Sequence, residues 1–453
     1  MKREPPDLRA LARDAWKAGV AAVDPARCVA RHLAQRRDLH ADSASTLVVA
    51  VGKAAVAMMR GALPVARGFV LCPGGSVVTD LPAGVEVLYG GHPEPTLQGI
   101  ESSRRVAAAV AGLTKDETLL FLISGGASSL FEVGRRGLEP DDLIVAYRVL
   151  VTSGAPIDEI NRVRCCLSAV KGGALAALAA PARVCTLAVS DVVGDDPAAI
   201  GSGPTVPAAL GGGLAAEAAL EIVARHSMKM PPRVLEHLHV MARSPRVVAS
   251  AARGEVGFGS APAVDFQVVA GIGDAIGGAV AFLESRGCMV SRRSEPLTGE
   301  TTSAAVEVAQ AVAAMLGARR SADRFKDENA AGAPLGLRAW LAGGETTVRV
   351  PASCRGRGGR NLDLAARLAL IVAARRDLVC AVAGTDGRDG SSRAAGAIID
   401  SGTASRADAA GLPLGEALAA FDTEPALAAA GDLLVTGPTG TNVGDLLVAV
   451  ASQ

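Results

Sequence analysis

Thr46-Leu-Val-Val-Ala-Val-Gly52-Lys53 is an unbroken apolar run, rich in valine, that stops at a glycine and a lysine. A strand with one face in water would show a polar residue at every second position, so this run reads as a strand covered on both faces. The pattern returns at Leu119-Leu-Phe-Leu-Ile-Ser124-Gly-Gly-Ala-Ser128-Ser129, at Cys185-Thr-Leu-Ala-Val-Ser190-Asp191 and at Phe266-Gln-Val-Val-Ala-Gly271. It appears again at Trp340-Leu-Ala-Gly343-Gly344-Glu345, Leu378-Val-Cys-Ala-Val-Ala-Gly384-Thr385-Asp386 and Leu433-Leu-Val-Thr436. Helical stretches lie between these runs; Asp24-Pro25 opens one as N-cap and first residue, and Leu97 to Leu113 forms another. Alternating buried strands and helices predict an α/β fold with largely parallel sheets. In such sheets ligands bind beyond the carboxyl ends of the strands, which is where Gly, Ser, Asp and Lys collect in this sequence.

The chain has 453 residues, enough for two large or three ordinary domains. The weakest patterning runs from Pro207 to Val264, and the boundary is placed within it. Residues 1–235 are then a Rossmann-like N-terminal domain and 236–453 a second α/β domain. Ala318–Pro334, charged and Gly/Ala-rich, reads as a surface loop. Hydrophobic residues at 49% and charged residues at 20% exclude a disordered chain. Lys+Arg and Asp+Glu balance at 46 each, which removes the electrostatic case for nucleic acid or an anionic membrane. Apolar runs fall far short of the roughly 20 residues a spanning helix needs, and Met1-Lys2-Arg3-Glu4-Pro5-Pro6 contains no secretory apolar region. A cytoplasmic protein is expected. Its eight cysteines include no Cys-x-x-Cys, and His237 and His239 point to different faces of a helix, so no structural metal site is read.

Ser124-Gly125-Gly126-Ala-Ser128 forms a strand-end turn whose backbone N–H groups and hydroxyls could receive an anion. Thr436-Gly-Pro-Thr439-Gly-Thr-Asn442 holds more hydroxyls than a turn requires. Acidic loops follow two strands: Asp191 to Asp196, and Asp386-Gly-Arg-Asp389. Their oxygens suit Mg²⁺, which takes one or two carboxylates with phosphate and water; equally, some of these aspartates must cap helices or close turns. Basic residues are scarce here. Lys53 follows Gly52 directly, Arg355, Arg357 and Arg360 precede Asn361 in a Gly-rich stretch, and Asn161, Arg164 and Lys171 form a further anion-friendly set. Two familiar motifs fail: no Gly-x-x-x-x-Gly-Lys-Ser/Thr loop exists, and in Gly271-Ile-Gly273-Asp-Ala-Ile-Gly277 the third glycine is one residue late for a dinucleotide fingerprint.

Taken together, the strand-end loops resemble the class II glycerate 2-kinase family. The resemblance rests on Val51-Gly-Lys53-Ala-Ala, Gly90-Gly-His92-Pro-Glu-Pro95, Ile123-Ser-Gly-Gly-Ala-Ser and Ser153-Gly-Ala-Pro through Asn161-x-Val-Arg164 to Lys171-Gly-Gly. It continues through Ser190-Asp-Val-Val-Gly-Asp195, Ser202-Gly-Pro-Thr205, Gly343-Gly-Glu-Thr-Thr347, Gly358-Gly-Arg-Asn361, Thr385-Asp-Gly-x-Asp-Gly390 and Thr436 to Asn442, and spans about Val51 to Val450. The resemblance implies two unlike three-layer α/β domains, with MOFRL-type motifs at 337–447 and the active site in the cleft between the domains. It implies ATP- and Mg²⁺-dependent phosphorylation of D-glycerate on its 2-hydroxyl, with Lys53 and Arg360 as catalytic residues. In role terms Asp191 joins them; Ser124, Gly125, Gly126, Ser128, Asn161, Arg164, Lys171, Asn361, Thr439 and Asn442 would bind substrate or phosphate, and Asp386 and Asp389 the metal. This sequence departs from the family pattern at Ala127, Leu362-Asp363, Ser392-Arg393 and Ala420 to Thr423. Two rival readings are a nicotinamide-dependent hydroxypyruvate reductase, a name some members carry, and a non-catalytic small-anion binder. The partners expected are glycerate and a nucleotide, with self-association left open.

Overall fold

The structure, a computed structural model, describes residues 7–76, 78–207, 210–243, 246–248, 264–317, 336–351 and 354–452. The chain divides into two compact units, Pro25–Val269 and a second made of Met1–Asp24 with Ala270–Gln453. A break after residue 235 would cut the helix Pro232–Ala242, whereas the division observed falls at the end of a strand. The stretch 318–334, read as a loop, lies outside the described residues.

The first helix, α1 (Leu8–Ala22), belongs to the second unit and is described there. The Pro25–Val269 unit opens with α2 (Pro25–Gln35), starting at the expected proline, then β1 (Thr46–Val51), α3 (Ala55–Gly61), β2 (Gly68–Pro73) and β3 (Val85–Gly90). Next come α4 (Leu97–Ala111), capped by the Thr96 hydroxyl accepting from Gly99 N at 3.1 Å, and β4 (Thr118–Ser124). After them run α5 (Ala127–Leu130), α6 (Pro140–Thr152), α7 (Ile157–Leu167), α8 (Ala174–Ala179) and β5 (Arg183–Val189). A small antiparallel pair, β6 (Leu210–Gly211) with β7 (Arg246–Val248), encloses α9 (Gly212–Arg225) and α10 (Pro232–Ala242), and β8 (Val264–Ala270) closes the sheet.

Strand order is β3-β2-β1-β4-β5-β8, and β3-β2, β2-β1, β1-β4 and β4-β5 are all parallel. Both faces of β1 are covered, as its sequence requires. Leu47, Val49 and Val51 join Val106 and Val110 of α4 in one core, while Val48 and Ala50, opposite by alternation, are equally buried where α3 packs. The order reverses between β1 and β4, so the carboxyl ends of those two strands flank the crevice where a doubly wound sheet takes its ligand.

The second unit contains α11 (Ile272–Ser285), β9 (Met289–Arg292), β10 (Leu297–Glu300), α12 (Thr301–Gly317), β11 (Arg338–Thr347), α13 (Arg360–Ile371), β12 (Leu378–Gly384), β13 (Gly396–Asp400), β14 (Leu433–Leu434) and β15 (Asp445–Ala451). Its order is β10-β11-β15-β12-β13-β14, with β9 also on β11. Here the expectation of a largely parallel sheet is corrected. Pairs β11-β15, β15-β12, β12-β13 and β13-β14 are antiparallel, and among the described residues only β9 and β10 run parallel to β11. The apolar runs misled because helices cover both faces of this sheet too, which erases the polar alternation of an ordinary antiparallel strand. Leu447, Ala449 and Ala451 join α12 and α13 in one core, and Leu446, Val448 and Val450 join α1 and α11 in the other. The unit therefore has three layers.

α1 is fixed in the second of these cores. Ala12, Ala15, Trp16 and Gly19, at helical spacing, are buried, and the Trp16 indole donates to Ala383 O at 3.2 Å. Arg9 pairs with Asp432 at 2.7 Å and with Asp400. A Cβ on Gly19 would lie 2.8 Å from Ala275 O, and one on Gly278 3.0 Å from Ala18 O, so glycines let α1 and α11 approach closely.

Candidate functional site

At the β1 and β4 ends the backbone is locked by glycine. Gly52 has φ +123°, and a Cβ there would lie 2.6 Å from Ser124 O, so no other residue fits between the strands. Lys53 N donates to Gly125 O at 2.9 Å, and Ala54 N donates to the Ser124 hydroxyl at 3.0 Å. Ser124, expected to hold an anion through its side chain, is instead buried and ties the two turns together. Gly126, at φ +84°, precedes α5. The Lys53 side chain is exposed and runs past this turn: its Cγ and the His92 ring Nδ1 each lie 3.3 Å from where a Gly126 Cβ would stand.

His92 Nδ1 is bonded to the Ser129 hydroxyl at 3.0 Å. Although the ring is partly open to solvent, loss of hydration and then the Lys53 ammonium lower its pKa to about 4, so it is neutral at pH 7. The turn thus presents one ammonium and one neutral imidazole. Asp191, two residues past the end of β5, lies half-buried at the same sheet edge.

Behind the turn, Ser128 Oγ meets Ser202 Oγ at 3.0 Å, Ser202 Oγ donates to Asn161 Oδ1 at 2.9 Å, and Arg164 Nη1 donates to the same oxygen at 3.5 Å. Arg164 stacks 4.7 Å above the Tyr147 ring. Lys171 is placed otherwise than expected. It is wholly buried, its ammonium donating to Glu132 Oε2 and Phe131 O at 2.7 Å each, and Tyr147 OH also donates to Glu132. Its charge is spent inside the fold, and burial lowers its pKa against the raising effect of Glu132.

In the second unit, the ends of β11 and β12 and the start of β15 meet at one edge, with Asp445 in register with both Gly344 and Gly384. Arg360, the first residue of α13, donates to Asp445 through Nε at 2.6 Å and Nη2 at 3.2 Å, and to Glu345 at 2.5 Å. Asn361 Nδ2 donates to Asp445 at 2.9 Å. Asp389, expected as a metal ligand, caps α13 instead: Oδ1 accepts from Asn361 N at 3.1 Å and Oδ2 from Leu362 N at 2.8 Å. Burial raises its pKa to about 6, against the lowering pull of those two amides.

Asp386 stays half-buried, with Oδ1 accepting from Arg388 N at 3.0 Å. Thr439 donates its hydroxyl to Thr385 O at 2.6 Å, and Asn442 Oδ1 accepts from Gly444 N at 3.3 Å, so both shape the loop before β15. Arg355 and Arg357 are not brought to this carboxylate cluster by any contact described. His92, Glu345 and Asp445 had escaped assignment. Asp445 carried a signal, a lone acid opening an apolar strand just after Thr436 to Asn442.

Residues 11–239 match a family model described as a domain of unknown function, DUF4147, and residues 338–445 match the MOFRL family. A D-glycerate 2-kinase from Thermotoga maritima is 33% identical over 98% of this chain and 99% of its own. A relative from Agrobacterium vitis bearing a hydroxypyruvate reductase label is 35% identical over 97% of this chain and 93% of its own. The crystal structure of a glycerate kinase from Thermotoga maritima superposes with a TM-score of 0.81 at 31% identity, covering 99% of this chain and all of that one. With both family domains present in order and full-length similarity in sequence and fold, this chain belongs to the class II glycerate 2-kinase family.

Proposed function

We propose that the protein transfers a phosphoryl group from ATP to the 2-hydroxyl of D-glycerate, giving 2-phosphoglycerate and ADP. The observation that carries this reading is Lys53, an exposed ammonium beside a glycine-locked turn at the β1/β4 reversal, in a chain of this family. Phosphoryl transfer asks a protein mainly for position and charge neutralisation. Lys53 supplies a compact positive charge, and the neutral His92 beside it adds no competing one. Arg360 supplies a planar fork held by two bonds to Asp445, which fixes its direction. Asp191 orients the attacking hydroxyl.

Mg²⁺ fits the second unit. Arg388 O, Asp386 Oδ1 and Asp445 Oδ1 lie 3.2, 3.3 and 3.4 Å from the position of the Cβ that Gly384 lacks, so three oxygens face one small cradle. Mg²⁺ takes one or two carboxylates and completes its shell with phosphate and water, so these two carboxylates are enough to hold it. When bound, it would neutralise phosphate charge. No described helix is long and apolar enough to cross a membrane.

The reductase label finds no support at Gly271–Gly277. Gly271 N donates to the Asp274 carboxylate at 2.9 Å in a helix cap, and the neighbouring Gly278 serves packing against α1. Purified protein with glycerate, Mg²⁺ and ATP should form ADP and 2-phosphoglycerate, read by coupled assay and phosphorus NMR. Oxidation of NADH by hydroxypyruvate without ADP formation would sink the kinase, and 3-phosphoglycerate as main product would overturn the regiochemistry.

A further inference from the structure

Beside the β4 turn, within the Pro25–Val269 unit, a cavity of about 300 Å³ opens between α7 and α9. Its walls are small and apolar: Ala199, Val206, Ala215 and Ala218, with the Cys165 thiol. Charge on its lining comes from Asp158, Asp196 and Arg162, and Arg162 is already 3.7 Å from Asp158. One positive against two negative groups disfavours an anion there, so neither glycerate nor a phosphate group is a fitting occupant. A neutral, largely apolar group is what such a space takes.

The cavity also connects with the anion end of the site. Asn161 lines it, and Asn161 is joined through Ser202 to Ser128 by hydrogen bonds of 2.9 and 3.0 Å, the second ending beside Gly126 and the Lys53 side chain. A nucleotide has this layout: a neutral base at one end and phosphates a short ribose away. Accepting the kinase reading above, we infer that this cavity holds the purine base and ribose of the phosphoryl donor, and that the nucleotide is therefore bound by the Pro25–Val269 unit. Cys165 lines the cavity as a neutral thiol, since burial pushes its pKa up to about 11.

Adenosine, which carries no phosphate, is the probe. It should inhibit the wild-type enzyme competitively against ATP and not against glycerate. Ala218→Phe, which fills the cavity from α9, should raise KM for ATP about tenfold or more, equivalent to roughly 1.4 kcal/mol or more. Glycerate KM and kcat at saturating ATP should stay as in wild type, and adenosine inhibition should be lost. A rise in glycerate KM instead, or unchanged ATP KM and adenosine inhibition in a folded Ala218→Phe, would overturn the assignment. So would failure of wild type to bind adenosine by titration calorimetry, a measurement that needs no variant. If wild type binds adenosine yet makes no ADP with glycerate, the kinase reading fails while the cavity assignment stands.

Discussion

Lys53 and Lys171 both contact the segment 124–132 and have opposite fates. Lys53 touches its outer turn with an ammonium in water, whereas Lys171 reaches its inner end and surrenders its charge to Glu132 with no solvent contact. In sequence they look alike, each a lysine beside glycines. What separates them is whether a carboxylate waits where the chain folds back. An unpaired surface ammonium can act on a ligand, while a paired buried one holds the protein together. Arg360 lies between these extremes, one-third exposed and gripped by two acids.

The comparison breaks first at Lys171→Met. Leaving Glu132 buried and uncompensated should cost about 3–5 kcal/mol of stability, seen as a large fall in urea midpoint. The double variant Glu132→Gln/Lys171→Met should recover most of it. Lost activity with an unshifted midpoint in the single variant would make Lys171 a ligand-facing group. Lys53→Ala should do the reverse, losing about 10²–10³ in kcat, roughly 3–4 kcal/mol, at a near-native Tm. Lys53→Arg should restore only part, because a fork replaces a point charge. Retention of more than about a third of wild-type kcat/KM would reduce Lys53 to an ordinary surface lysine.

For the intermediate case, Asp445→Asn should lower kcat/KM about 10–10²-fold, since the charged two-bond grip on Arg360 and one of the two carboxylates proposed for Mg²⁺ are lost together. Glu345→Gln, on a side chain 42% exposed, should cost under about threefold. Equal effects would show that Arg360 needs charge nearby rather than direction. The gentlest test is pH. Asp389 titrates near its ordinary 3.8 when unfolded and at about 6 in the fold, so the folded state keeps a proton that the unfolded chain has released. Stability should fall as pH rises from about 4 to 6, and Asp389→Asn should flatten that slope while losing about 1 kcal/mol of helix capping. A slope that survives the substitution would assign it to other groups.

The strand ends were legible because an apolar run that stops at Gly-Lys or Ser-Gly-Gly can hardly be anything else. The antiparallel sheet was not, since burial of both faces of β12 and β15 removes the one signal that distinguishes strand direction. Asp386 and Asp389 share a loop and a composition; their separation into a half-buried acid and a helix cap depends on α13, which begins at Arg360 and arrives from elsewhere in the chain. Glu132, set in the apolar stretch Leu130-Phe-Glu-Val133, was the visible hint that some cation would have to come inside. The assignment of α1 to the second unit offered less, as an amphipathic helix states that it has a partner without stating which.

That assignment bears on how the molecule is made. The ribosome delivers α1 well before β15, yet β15 is the strand between β11 and β12 and also packs against α1. The apolar face of α1, with Trp16 at its centre, therefore waits through synthesis of the entire Pro25–Val269 unit before its sheet exists. During that interval the nascent chain carries one finished body and one orphaned helix, the kind of exposed surface on which holding chaperones act.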